Sequence, residues 1–329
     1  MRSRGIALLA LAAAAGALVR VAVGPVADGG AMRLALSVPT GEVLALRAGA
    51  VASAALLGAA LGLSGLALQT LLRNPLASPF VLGISSGAGF GVSLVIAGAY
   101  LLAVPAVSFG GEVAGAVAGS LATLALVAWL GRARAAGSDP TTLVLSGVVV
   151  GAVFSAGTML VEQFVPYGLR GDLLSWMAGR LPELPTRGAF WTLAASVVLG
   201  VLALAWRAGA LDVAALSDEE AASTGVDLRA LRRGLFVVGG ALAAVAVAYA
   251  GPIGFVGLIG PHIARRLVGA SHARLVPAAA LAGAAILVTA DAARQVIDLG
   301  TGRLPVGVVT ALAGGPVFLW LLRSGRWSR

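Results

Sequence analysis

Residues 48–72 read AGAVASAALLGAALGLSGLALQTLL, a run of 25 residues without a charged side chain. A helix needs about 20 mostly apolar residues to cross the hydrocarbon core of a bilayer. Gly58 and Gly62 within the run have the small-xxx-small spacing that lets helix backbones approach closely in lipid. The run therefore predicts a membrane-spanning helix, and we expect its glycines to serve packing within the chain rather than a face reserved for a dimer.

The same length rule predicts an all-α, multi-pass membrane protein with about ten spans in a single domain, residues 1–329. The composition agrees, because 59% of the residues are hydrophobic and 11% are charged, whereas soluble domains carry roughly 25% charged residues. The predicted spans are 5–23, 48–72, 80–107, 113–130, 143–161, 189–206, 235–250, 252–268, 275–293 and 305–322.

The first span has two interpretations. Arg2 and Arg4 precede an apolar run that ends near small residues, as in a secretory signal peptide. Nine further spans favour an uncleaved helix instead. With both termini in the cytoplasm, fifteen of the 23 arginines fall on the cytoplasmic side, which is the distribution that the positive-inside rule prefers.

Two missing residue types exclude several function classes. The absence of cysteine excludes disulfides, thiolate metal sites and cysteine nucleophiles. All positive side chains are arginine, and without lysine the chain has no Walker A motif, so it is not a P-loop ATPase. The net charge of +9 comes from arginines that lie in short loops between apolar runs. This distribution indicates membrane topology rather than nucleic-acid binding. We expect no metal site and no cofactor bound by this chain.

Ionisable residues are scarce within the predicted spans. Ion-coupled carriers usually keep such residues there, because they are costly in lipid and therefore functional. Asp291, Arg294 and His262 fall near span ends, and Glu112 and Glu162 lie at boundaries. We therefore expect a partner to supply the energy. An ion-coupled secondary transporter is the alternative, and a membrane enzyme or scaffold is less favoured since the spans hold no paired carboxylates.

The longest predicted cytoplasmic loop, residues 207–233, holds the densest acidic cluster of the chain. Ser217 and Glu220 form an S-x-x-E capping box, and acidic residues favour a helix start. Gly225 offers a left-handed helix stop. A short charged helix in this position can dock into a groove on a cytoplasmic motor, although a merely solvated loop helix explains the same residues.

Two long motifs carry a family resemblance. Residues 58–69 read GAALGLSGLALQ and lead into RNPLASPFVLGISSG at 73–87, and residues 251–265 read GPIGFVGLIGPHIAR. LPVGVVT at 304–310 and GPVF at 315–318 continue the pattern. The chain resembles the FecCD-type iron-siderophore, haem and cobalamin permeases, the membrane subunits of type II ABC importers.

The resemblance implies the fold, the assembly and the location. It implies a homodimer of ten-helix subunits in the bacterial cytoplasmic (inner) membrane, bound by two ABC ATPase subunits that use ATP and Mg²⁺. One periplasmic or lipid-anchored substrate-binding protein would deliver a ferric siderophore, haem or cobalamin. This chain would then be a transporter subunit and not an enzyme.

The resemblance also suggests roles for individual residues. The ATPase-coupling segment would comprise Ser217, Asp218, Glu219, Glu220, Ala221, Gly225 and Val226. Binding-protein docking would fall to Arg47 and Arg294, and Arg303 stands where relatives usually have glutamate. Segment 143–181 would line the pathway, with Ser146, Gly147, Gly151, Ser155 and Thr158 as its small, weakly polar lining.

Most of the motif residues are better explained by turn geometry and packing. Asn74, Pro75 and Pro79 predict a tight cytoplasmic turn, and Gly83 and Gly87 thin the next helix. Pro252 and Pro261 are expected to bracket a short span that contains Gly254 and Gly257. We expect His262 to have a local helix-end role and His272 to be solvated in a polar loop.

Overall fold

The computed structural model describes residues 2–28, 31–36, 39–103, 109–132, 140–182, 186–214, 218–297 and 303–323. Two strands, one 3-10 helix at Pro79–Leu82 and thirteen α-helices lie in these ranges. The helices are α1 Arg2–Ala22, α2 Gly41–Leu71, α3 Ile84–Leu101, α4 Phe109–Arg132, α5 Pro140–Glu162, α6 Tyr167–Met177, α7 Arg187–Trp206, α8 Ala208–Ala214, α9 Asp218–Ser223, α10 Leu228–Ala250, α11 Val256–Val268, α12 His272–Val296 and α13 Val306–Arg323.

The predicted all-α membrane fold is confirmed, and about ten spans is approximately consistent with the helices found. Among the described residues, eight helices are long and apolar enough to cross a membrane: α1 to α5, α7, α10 and α12. The apolar part of α13 is shorter, Val306–Trp320. From the predicted topology we call the end that holds α8 and α9 the inner end, and the opposite end the outer end.

The eighth predicted span is the largest departure. Its helix, α11, has 13 residues and is about 20 Å long at 1.5 Å per residue, against a hydrocarbon core of about 30 Å. Gly251 and Phe255 both have positive φ, 72° and 67°, so the segment before α11 is not helical. Pro261 lies inside α11 and does not bracket it as predicted; a proline there costs one backbone hydrogen bond.

A β-hairpin that the sequence did not predict follows α1. Strand β1, Val23–Asp28, pairs antiparallel with β2, Ala31–Leu36, in a register that sets Val23 opposite Leu36. The hairpin joins the outer ends of α1 and α2. The bundle is therefore all-helical only within its membrane part.

Helix α2 forms the centre of the bundle and packs against α10, α11 and α12. A Cβ at Gly58 or Gly62 would overlap a backbone carbonyl of α12, and a Cβ at Gly65 would overlap the carbonyl of Gly257 in α11. Glycine at these positions lets the backbones touch. The expected role of the α2 glycines, packing within the chain, is confirmed.

In a second layer of helices, α3 to α5, glycines again bring helix backbones into contact. The Gly87 and Gly91 positions of α3 lie against Gly119 and Gly115 of α4, again too close for a Cβ. Gly83 begins α3 with φ 71°, a conformation that glycine adopts at little cost. The layer places α5 on the side of the bundle away from α12.

The predicted turn after α2 is present. The Asn74 side-chain oxygen accepts a hydrogen bond from the Leu76 amide at 2.9 Å, as an Asx turn does. Pro79 opens the 3-10 helix, where its missing amide proton costs nothing. The turn brings the end of α2 to the inner end, beside α8.

Candidate functional site

A polar cluster braces the inner end, and we call it the inner brace: Thr70, Arg73, Asp212, Ala214 and His272. The Asp212 Oδ1 atom accepts the His272 amide proton at 2.8 Å and lies 2.7 Å from His272 Nδ1. His272 Nε2 lies 3.0 Å from the Thr70 hydroxyl of α2. Arg73 Nε donates to the Ala214 carbonyl, at the end of α8, at 2.9 Å.

The inner brace shows that the prediction for His272 is wrong. Its side chain is buried at the start of α12, because Asp212 reaches it across 60 residues of sequence. Burial alone would raise the pKa of Asp212, but the hydrogen bonds from the backbone and ring of His272 outweigh burial and lower that pKa below its ordinary value. The carboxylate thus fixes α8 to α2 and α12.

The predicted coupling segment follows the brace directly. Backbone at 218–223 forms α9, and Gly225 adopts the expected left-handed conformation at φ 77°. Ala221 is fully buried, whereas Glu220 is exposed. Val226 packs partly against the core. The expected cap, Ser217, and the side chains of Asp218 and Glu219 lie outside the described residues.

The predicted pathway residues lie on the more buried side of α5. Gly147 lies against Val81 and Leu82 of the 3-10 helix, Gly151 lies against Gly83 at the start of α3, and the Ser155 hydroxyl donates to Ser86 Oγ of α3 at 3.1 Å. Thr158 is buried and donates to the Phe154 carbonyl of its own helix, and Ser146 is half-buried. The side of α5 turned away from α3 is instead apolar and exposed, with Leu145, Val149, Val153, Met159 and Leu160 more than half exposed.

A buried ion triad occupies the outer end, formed by Arg20, Asp291 and Arg294. Arg20 Nε donates to Asp291 Oδ2, and Arg294 Nε donates to Asp291 Oδ1, both at 2.5 Å. Asp291 is fully buried. The triad fastens α1 to α12. No role for Arg20 was predicted from the sequence. Together with Asp291 and Arg294, it shows that ionisable side chains are less scarce in the membrane helices than the sequence indicated.

The three arginines expected to dock a binding protein differ in access. Arg47 is 7% exposed and donates to the Val21 carbonyl at 2.7 Å. Arg294 is 5% exposed and belongs to the ion triad. Arg303 is exposed at the start of α13. Of the three, only Arg303 has an exposed side chain.

A polar cavity opens at the same end, and we call it the outer arginine cavity. It has a volume of about 410 Å³ and is lined by Glu112, Ser175, Trp176, Arg180, Leu181, Pro182, Tyr249, Ala250, Arg294, Arg303 and Pro305. Its arginines outnumber its carboxylates by three to one. The cavity could not be predicted from the sequence, because its lining residues come from α4, α6, α10, α12 and the segment before α13.

The motif residues of the second signature differ in their surroundings, since a Cβ at Gly254 would meet open space whereas Gly257 is closely packed. Gly257 lies against the Leu61 carbonyl of α2, and Pro252 and Gly254 lie in the non-helical segment before α11. His262 is 6% exposed within α11, so it is not at a helix end. No group of three or more His, Cys, Asp or Glu suited to a metal ion occurs among the described residues.

The apolar spans, close-packed through glycine, define a multi-pass helical membrane protein. The chain belongs to the FecCD transport family, whose model matches residues 7–324. It is 36% identical over 269 residues to the Hemin transport system permease protein HmuU of Yersinia pestis, covering 80% of this chain and 78% of that protein. It is 38% identical over 267 residues to the Fe(3+)-citrate import system permease protein YfmD of Bacillus subtilis, covering 80% and 75%.

A solved structure has the same fold. It shows an inward-facing conformation of a metal-chelate type ABC transporter, with a TM-score of 0.84 and 28% sequence identity. The match covers 98% of this chain and 99% of that one. The family resemblance and the type II importer fold expected from the motifs are confirmed.

Proposed function

We propose that this chain is the permease subunit of an ABC importer that carries a metal chelate across the cytoplasmic membrane, driven by ATP hydrolysis in a partner subunit. The chelate class follows the relatives, which are named for hemin and Fe(3+)-citrate. The observation that carries the coupling is α9, a short helix with an exposed Glu220 on a braced inner end. We assign ATPase contact to residues 217–226.

The inner brace explains how a small helix can transmit force. A push on α9 reaches α8, with which it is in contact, and Arg73 and His272 connect α8 to α2 and α12 through hydrogen bonds of 2.7 to 2.9 Å. Both helices run the length of the membrane part. Movement at the inner end would therefore be carried to the outer end by rigid elements rather than lost in a loop.

The proposed assembly is two copies of this chain, two ABC ATPase subunits and one extracytoplasmic binding protein, with both termini of the permease in the cytoplasm. The exposed apolar side of α5 is the surface that we assign to the second copy and the pathway between them. Arg303 is the docking contact for the binding protein. We propose no nucleic-acid partner and no resident cofactor; ATP and Mg²⁺ act in the ATPase.

An ion-coupled carrier is the weaker alternative. Both oxygens of the buried Asp291 carboxylate accept hydrogen bonds from arginine, one from Arg20 and one from Arg294. Two positive charges on one carboxylate leave a net positive charge, which makes this group a poor ligand for a coupling cation.

Assembly with the motor tests the proposal. The chain is co-expressed with an ABC ATPase and a binding protein from the same operon, and the complex is purified through a tag on the permease. We expect the ATPase to co-purify in equal amounts and its ATP hydrolysis to respond to the loaded binding protein. A permease that purifies alone from every such combination would overturn the proposal.

A further inference from the structure

We propose that the outer arginine cavity is an entry site for the chelate and that it selects anionic, carboxylate-bearing complexes. The inference rests on the proposed function, because it gives the substrate class of that pathway. Arg180, Arg294 and Arg303 line the cavity together with a single carboxylate, Glu112. Arg294 is shared with Asp291 of the ion triad, so Arg180 and Arg303 supply the positive charge of the cavity against the one carboxylate of Glu112.

The arginines are placed against the usual distribution for membrane proteins. Positive side chains are favoured on the cytoplasmic side, yet Arg180 and Arg303 are exposed at the outer end and line one cavity together with Arg294. Keeping like charges together costs free energy. An anion that binds among them would offset that cost, which gives the cluster a functional reason.

The shape of the cavity suits a small molecule better than a protein surface. Arg294 is 5% exposed, so its side chain reaches the cavity but not a flat partner lying over it. Trp176 is 6% exposed and provides an apolar wall beside Arg180. Pockets for small ligands combine apolar walls with a few polar groups and have volumes of about 300 to 1,000 Å³, a range that includes this one.

The backbone holds the wall in place. Gly179 has φ 73°, and the neighbouring Arg180 amide donates to the Ala250 carbonyl at 2.8 Å. Gly179 also accepts a hydrogen bond from the Gly307 amide at 3.1 Å, which ties α6 to the start of α13. These backbone hydrogen bonds fix the position of Arg180 in the cavity wall. Arg180 also belongs to the predicted pathway segment 143–181.

Arginine recognises carboxylates through paired N–H donors, and charge-assisted hydrogen bonds of this kind are short and strong. An iron–citrate complex presents such carboxylates. A neutral ferric trihydroxamate of similar size presents none. The cavity should therefore distinguish the two by charge.

The experiment measures equilibrium binding of ⁵⁵Fe-labelled ferric citrate and of a neutral ferric trihydroxamate to the full-length permease in lipid nanodiscs. We expect Arg180→Gln to weaken ferric citrate binding about tenfold, as for the loss of one hydrogen bond to a charged group, and to leave the neutral chelate unchanged. Arg180→Lys, which keeps the charge, should retain part of the affinity. Arg187→Gln is the matched control, since Arg187 is exposed at the start of α7 and does not line the cavity.

Three results would overturn the inference: no measurable binding of ferric citrate to the wild type, equal loss of both chelates in Arg180→Gln, or weakened association of the binding protein in place of weakened chelate binding. Co-purification of the ATPase is measured on the same variants. Because that assembly uses the inner end, its retention would leave the proposed function standing even if the cavity binds no chelate.

Discussion

The two ends of the permease use charge in opposite ways. At the outer end, Arg20 and Arg294 share one buried carboxylate, Asp291, and arginine remains in excess around a cavity. At the inner end, Asp212 is 41% exposed and holds His272, and α9 presents Glu220 to solvent. The outer end is therefore held together by buried ion pairs and attracts anions, whereas the inner end is held by partly buried hydrogen bonds on which a partner can exert force.

The largest expected effect comes from breaking the buried ion triad at the outer end. Asp291→Ala leaves two buried arginines without a counter-charge, and loss of one partner of a buried ion pair costs about 3 to 5 kcal/mol. We expect a strongly lowered unfolding midpoint in detergent, read from thermal melting. Asp172→Asn is the control, because Asp172 is exposed on α6 at the same end. Equal melting temperatures of the two variants would contradict a stabilising role of the buried ion triad.

The second effect concerns the acidic helix at the inner end. Replacing Glu219 and Glu220 with arginine should weaken ATPase association by about tenfold, or about 1.4 kcal/mol, because charge reversal at an interface places like charges opposite each other. Surface plasmon resonance on the purified subunits measures the change. Glu42→Arg, exposed at the start of α2, controls for net charge. Unaltered association would refute the coupling role of α9.

A smaller effect is expected when the inner brace is loosened. Asp212→Asn should cost about 1 kcal/mol of stability, since an exposed pair is screened by solvent, but it should lower the amount of chelate moved per ATP hydrolysed. Asp227→Asn is the matched control: Asp227 caps α10 through the Arg229 and Ala230 amides, and asparagine caps equally well. If both variants keep the wild-type ratio, the brace does not transmit force.

The smallest effect is a dependence on pH. The pKa of Asp212 is lowered in the folded protein, so its contribution to stability is present above the unfolded value of about 4 and is lost as pH falls through the folded pKa. Melting temperatures from pH 6 to pH 3 should therefore decline more steeply for the wild type than for Asp212→Asn. Parallel curves would show that the carboxylate is not held as described.

The sequence predicted the membrane part well because span length and glycine spacing are local properties. The run at 48–72 became the centre of the bundle, and its glycines meet α12 and α11 as small-residue spacing implies. The helix at 218–223 and its stop at Gly225 also follow from neighbouring residues. What depends on a few consecutive residues could be predicted.

Features that join distant residues could not be predicted. Arg20 and Asp291 are 271 residues apart, and no pattern in either helix indicates the other. His272 looked like a loop residue because its partner, Asp212, lies in another segment. The short length of α11 depends on positive φ at Gly251 and Phe255, and hydropathy does not report that. The outer arginine cavity is assembled from five separate segments for the same reason.

We propose that ATP hydrolysis in a partner, not an ion gradient, drives transport through this chain. Uptake of ⁵⁵Fe-labelled chelate is measured in proteoliposomes that contain the permease and its ATPase, with the binding protein outside, ATP inside and ion gradients collapsed by an ionophore. We expect uptake that persists with ionophore and stops without ATP, the ATPase or the binding protein. Uptake by the purified chain alone, abolished by the ionophore, would contradict it.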